Sequence, residues 1–275
     1  VDAPSLDSFL SRLPASRGSF SVWAGPVAGE PVTAHTVCEQ HYAASTMKLA
    51  LVIAAYREAE LERLDLDGEV GVHNDFHSAA DGTPFSLDPT DDSDPRVWQR
   101  LGSRVALRWL CSRAIVRSSN LATNLVLEVV GPQAVAETLA RADATRSCIT
   151  RGIEDATARA AGMTNLVTAR DLAVTLQRLA GGSLLSVRGS TEVLGFLGAQ
   201  QINDGIPAGL PPCTPVAHKS GWVDGVSHDA ALITPPDAAP FIFIMCTTSE
   251  LAEQEGLDLI AAGAAAAWDD RKALG

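Results

Sequence analysis

The sequence predicts an α+β fold in which an antiparallel sheet domain, built from both ends of the chain and flanked by helices, receives an inserted all-helical domain. Three observations lead there. Residues 19–25, SFSVWAG, alternate with the period of two of a half-buried strand. Between about 101 and 200 the apolar residues recur at helical spacing instead. From 214 the stretch TPVAHKSGWVDGVSHDAALITPPDAAPFIFIMCTT reads as two or three strands joined by turn residues, followed by an Ala-rich helix over about 250–270. Strands thus bracket a helical middle, and the expected division is 1–42 with 195–275 for the sheet domain and 43–194 for the helical one.

Taken in order, residues 4–13 read as a short helix, and EPVTAHTV as the hairpin partner of strand 19–25. From Ser45 to about Leu64 the pattern is helical, apolar on all sides through Tyr56 and then charged, as in a helix that emerges from a core with its N-terminal end buried. Residues 73–96, HNDFHSAADGTPFSLDPTDDSDPR, are polar, acidic and turn-rich and read as a long loop or insertion. Helices are expected at about 101–116, 121–130 and 131–143. After a second loop, TARDLAVTLQRLAGG has capping-box spacing between Thr168 and Asp171 and closes on Gly181 and Gly182. A short helix follows at 190–200.

Composition narrows the function. At 275 residues with 46% hydrophobic, the chain has ample material for a core. A formal charge of −12 disfavours nucleic-acid binding, which requires a basic stripe, and none appears in the sequence. The longest apolar runs, LALVIAAY and FIFIMC, fall well short of the ~20 residues of a membrane span. The start, VDAPSLDSFLSRL, has neither a basic n-region nor an h-region, so it fits a cytoplasmic protein or a mature form without its leader. The five cysteines are scattered without metal-ligand spacing and read as mostly free thiols with at most one or two disulfides. His73, Asp75 and His77 in the polar loop have no third ligand at diagnostic spacing and read as surface residues. Trp98, Trp109 and Trp268 read as packing residues.

The lysines are more telling. The chain has three, Lys48, Lys219 and Lys272, against eighteen arginines. Lysine is the cation that desolvation can deprotonate, whereas arginine stays charged. Two of the three stand in short patterns: Ser45-Thr46-Met47-Lys48 heads the apolar helix, and Lys219-Ser220-Gly221 begins the strand region. One helical turn separates Ser45 from Lys48, which puts them on one face. A helix N-terminus also offers Ser45 free N–H groups and the positive end of the dipole, both favourable to a developing oxyanion.

A third pattern, Ser118-Ser119-Asn120, lies between two helices. Together and in this order the three motifs resemble those of the class A serine β-lactamases and penicillin-binding proteins: S-x-x-K, S-D-N and K-T-G. The flanking LCSRAIVRSSNLATNLVLEVVG and GIPAGLPPCTPVAHKSGWVDG are also similar to the family's, and the likeness runs from about residue 20 to the C-terminus. The resemblance implies a β-lactamase/transpeptidase-like fold and a serine hydrolase that opens β-lactams through an acyl-enzyme. Ser45 would be the nucleophile, Lys48 its proton acceptor, with Lys219 the second lysine nearby. Ser118 would pass a proton to the leaving nitrogen. Asn120 would hold the substrate's side-chain amide, and Lys219 and Ser220 its carboxylate. The N–H groups of Ser45 and of Trp222, the residue after Gly221, would form the oxyanion hole.

Four positions depart from the family pattern. The deacylating Glu with Asn four residues on is missing; Glu154, 36 residues after Ser118, is the candidate, with Asp155 as the alternative. Ser119 replaces the motif's aspartate. His228 stands about where an arginine would bind the substrate carboxylate, so its protonation would make binding pH-dependent. Cys111 matches a family cysteine, yet Val52 stands where its disulfide partner would be. Two alternatives therefore stay open: a penicillin-binding, D,D-peptidase or esterase-like relative that is acylated and deacylates slowly, or a non-catalytic module of the same fold. The resemblance further implies a small-molecule partner, action outside the cytoplasmic membrane, no cofactor or metal, and a monomer.

Overall fold

The computed structural model describes residues 2–275. Its centre is a five-stranded antiparallel sheet ordered Thr33–His35, Gly18–Pro26, Phe241–Ser249, Val226–Ile233, Val216–Val223. The first and last parts of the chain meet in it: Gly18–Pro26 pairs along its whole length with Phe241–Ser249. Both central strands are buried on both faces, which is why FIFIMC reads as an unbroken apolar run. Phe241, Phe243 and Met245 face one way, with Phe20, Val22 and Ala24, against the terminal helix Glu253–Asp269 and the N-terminal helix Pro4–Leu10. Ile242, Ile244 and Cys246 face the other way, into the core shared with the helical half. Period-two alternation sends successive side chains to opposite cores.

The helical half is organised around Met47–Glu60, which is buried on nearly all sides from Met47 to Tyr56. It packs against Leu107–Val116, Asn120–Val130 and Pro132–Arg141. A helix surrounded in this way has no polar face to show, so LALVIAAY has no amphipathic period. Truncating a side chain as enclosed as Leu51 would cost about 2–5 kcal/mol. The predicted cap is present: Thr168 Oγ1 accepts from the Asp171 N–H at 3.0 Å at the start of Ala169–Ala180. Asp171 does not reach back to Thr168; its carboxylate accepts from the Arg146 N–H instead.

Two expectations need correction. The loop 73–96 is not a free insertion: it carries a small hairpin, Phe76–His77 with Pro84–Phe85, and its end is bonded onto the segment 113–121. Residues 101–116 are not all helix, because Arg104–Ala106 pairs as a strand with Glu69–Gly71 before the helix starts at Leu107. All five cysteines are free. His73 pairs with Glu128 at 2.8 Å, and no cluster of three or more His, Cys, Asp or Glu able to hold a metal occurs among the described residues.

Candidate active site

A cavity of about 720 Å³ opens where the two halves meet. Ser45, Ser118, Asn120, Glu154 and Trp222, from four distant stretches of the chain, all line it. Among the described residues seven non-glycine residues have left-handed backbones, and three of them, Ala44, Ser118 and Glu154, line this cavity. Such conformations cost of order 1–3 kcal/mol each and persist where surrounding structure enforces them. Their gathering at one hollow marks it as a place where side-chain direction has been favoured over local comfort.

Ser45 sits in a single turn of tight helix, Ala44–Thr46, immediately before the buried helix. The Val216–Val223 strand runs against that turn at Gly221. A Cβ on Gly221 would fall 2.7 Å from the Ser45 nitrogen and 2.8 Å from that of Thr46, so only glycine permits the approach. This contact brings the Lys-Ser-Gly strand to the serine and puts Trp222, half-buried, on the cavity wall.

Lys48 is wholly buried. Its Nζ donates to the Ser118 carbonyl at 2.6 Å, to Asn120 Oδ1 at 2.9 Å and to Ser118 Oγ at 3.2 Å. Burial drives its pKa well below the ordinary lysine range, and the charge of Lys219 pushes the same way, against Asp92, which raises it. Lys219 is also wholly buried, and its Nζ donates to Gln200 Oε1 at 2.9 Å and to the Ser220 carbonyl at 2.7 Å. Burial lowers it to about 7, with Asp229 pulling in the opposite direction. Two desolvated amines are therefore buried beside the cavity, both lowered from the ordinary lysine range, Lys219 to about 7. The hydroxyl of Ser220 is buried without any partner, so its hydrogen-bonding capacity is unspent.

Glu154 and Asp155 are distinguished by their surroundings. Asp155 is buried and fully engaged: Oδ1 accepts from the Ala158 N–H at 2.9 Å, capping the helix Ala156–Ala160, and Oδ2 accepts from the Ala79 N–H at 2.8 Å. Although burial would raise its pKa, these bonds hold it below the usual aspartate range. Glu154 Oε2 accepts from the Asp88 N–H at 2.8 Å, whereas Oε1 has no partner. Burial raises its pKa, with the nearby Asp91, Asp88 and Asp92 adding to the effect. Of the two acids, Glu154 is the one with a free oxygen and enhanced basicity.

His228 is not brought to the cavity. It lies buried on the neighbouring strand opposite Gly221, with Nε2 at 2.8 Å from the Tyr42 carbonyl and Nδ1 at 2.8 Å from the Ser227 carbonyl and 3.1 Å from the Thr247 N–H. Burial, reinforced by His41 packed edge-on at 5.5 Å, lowers it to about 4. A neutral ring tied to a carbonyl binds no carboxylate. The cationic residues that line the cavity are Arg151 and Arg159.

Sequence reasoning missed several participants. Asn124 stands one turn beyond Asn120 on the same helix face. It accepts from the Ile153 N–H at 2.8 Å and donates to the Ile153 carbonyl at 3.0 Å, fixing the loop just before Glu154. The i, i+4 pair Asn120 and Asn124 was the available signal. Gln200, the partner of Lys219, and the acidic residues 91–92 had none, because nothing local ties them to a motif.

The fold and its geometry agree with known proteins. The β-lactamases of Xanthomonas campestris and Sphaerobacter thermophilus superimpose with TM-scores of 0.84 and 0.82 at 20% and 24% identity, over 97% and 98% of this chain and 97% of each of theirs. The PBP-A structure matches with a TM-score of 0.81 at 19% identity, over 97% of this chain and 94% of its own. In sequence, a β-lactamase of Streptomyces lavendulae is 26% identical over 259 residues, 88% of this chain and 79% of the relative. The profile described as the beta-lactamase enzyme family matches residues 8–270. With nearly its whole length matched, the chain belongs to the beta-lactamase enzyme family and is a serine β-lactamase-like hydrolase.

Proposed function

We propose that the chain opens β-lactam rings by acylating Ser45 and then hydrolysing the ester. The observation that carries this reading is the convergence of Ser45, Ser118, Asn120 and Glu154 on one cavity, with two buried amines behind them. In its neutral form Lys48 donates to the Ser118 carbonyl and to Asn120 Oδ1, neither of which can give up a proton. Its lone pair is then left for a hydroxyl.

Ser45 Oγ attacks the lactam carbonyl as Lys48 takes its proton, and the N–H groups of Ser45 and Trp222 stabilise the oxyanion. The C–N bond breaks, the nitrogen takes the Ser118 proton, and Lys48 reprotonates Ser118 across their 3.2 Å contact. Glu154 then takes a proton from the water that attacks the ester, and the C–O bond to Ser45 breaks with return of that proton. Asn120 meets the substrate's side-chain amide, and Ser220 and Lys219 its carboxylate; the unpartnered Ser220 hydroxyl supports that role. His228 has no part in this reading. Membership of the family also supports action outside the cytoplasmic membrane, and no helix among the described residues is long and apolar enough to cross one.

One feature favours the slower alternative: Glu154 spends one oxygen on the Asp88 N–H, which restricts its freedom to hold water. Incubation with a chromogenic β-lactam, followed by colour and intact mass together, decides. Steady turnover is the expected result. A stoichiometric burst with a lasting adduct would give the penicillin-binding behaviour, and neither colour nor adduct would overturn both.

A further inference from the structure

The second motif lacks its aspartate, and the residue in its place, Ser119, is buried and has no charge. Its hydroxyl donates to Asp92 Oδ2 at 3.1 Å, and the Leu121 N–H donates to the same oxygen at 2.8 Å. The other oxygen, Oδ1, accepts from the Asp94 N–H at 2.9 Å. Asp92 thus sits at the N-terminus of the helix Asn120–Val130, where a carboxylate is favoured by the free amides and the dipole. Its neighbours are fastened to the same place. The Asp91 carbonyl accepts from Asn120 Nδ2 at 2.9 Å, Ser93 bonds to the Arg117 carbonyl, and Asp94 pairs with Arg113. Four consecutive residues are bonded to the segment that presents Ser118 and Asn120 to Lys48.

We propose that Asp92 is a positioning residue for this site: delivered from the acidic loop, its carboxylate holds the Ser118–Asn120 turn against Lys48 and supplies the negative charge that the motif's middle position has lost. This rests on the acylation chemistry proposed above. Lys48 touches carbonyls and a hydroxyl but no carboxylate. Of the charges acting on it, Lys219 on the adjacent strand opposes its protonation and Asp92 favours it. A purely structural anchor would hold the turn without influencing the charge of the amine.

The two roles separate in the pH dependence of acylation, measured by stopped flow with a chromogenic β-lactam on folded protein. Asp92→Asn, nearly the same shape, should lower the acylation rate about tenfold and move the acid limb of the profile down by about one pH unit, because Lys48 loses its proton more readily. Asp92→Glu keeps the charge and should lower the rate while leaving the limb in place. Adding Ser119→Asp to Asp92→Asn should restore the limb. A wild-type profile in Asp92→Asn, or a lower rate with an unmoved limb, would overturn the proposal. If Asp92→Asn does not fold, an acid limb shifted in Asp92→Glu would do so. Acylation of the wild type, measured first, separates failure of this proposal from failure of the underlying chemistry.

Discussion

Glu154 and Asp155 are adjacent acids in one loop, and only their hydrogen bonds tell them apart. Asp155 is spent on two backbone N–H groups, whereas Glu154 retains a bare oxygen at the cavity. Glu154→Gln should therefore leave acylation intact and slow deacylation by at least about a hundredfold, seen as an adduct that persists in intact mass. Asp155→Asn should instead lower the melting temperature, at a cost of about 1–2 kcal/mol, and leave the ratio of the two rates unchanged. His228 makes a contrasting case. Held near 4, its ring is neutral through the physiological range, so His228→Gln should leave the pH profile of KM where it is in the wild type, whatever Lys219 contributes near 7.

At the level of elements, the site depends on how closely the Val216–Val223 strand approaches the turn Ala44–Thr46. Gly221→Ala would force a methyl to within 2.7 Å of the Ser45 nitrogen, and since both neighbours are backbone, the strand must move. Acylation should fall by at least about a hundredfold with the fold kept, as measured by single-turnover kinetics and circular dichroism. The strands, the buried helix and the three motifs were legible because each leaves a local trace: alternation in SFSVWAG, an all-apolar run after Ser45, lysine where arginine is the rule. The participation of the acidic loop was not legible. Asp91 and Asp92 are polar residues in a turn-rich stretch, and only the chain's return onto the segment 113–121 makes them part of the site. His228 misled for the same reason: its position along the strand suits a ligand, but its ring direction is set by the Tyr42 carbonyl and the Thr247 N–H, which sequence spacing does not reveal.

For the molecule as a whole, burying Lys48 and Lys219 costs stability, whatever chemistry it serves. An unfolded lysine stays protonated to about 10.5, whereas folded Lys219 gives up its proton near 7. Above 7 the unfolded chain therefore binds more protons, and stability should rise with pH from about 7 until buried thiols such as Cys111, pushed up to about 12, oppose it near 9. Lys219→Met should flatten that rise and add about 2 kcal/mol or more at neutral pH, read from urea unfolding across the pH range, while abolishing activity. The most direct test of the central claim is where the acyl group goes. After brief exposure of Glu154→Gln to a β-lactam, proteolysis and mass mapping should find one adduct per chain, on the peptide that carries Ser45, and none when Ser45→Ala is added. An adduct on any other residue, or one that survives loss of Ser45, would contradict the account.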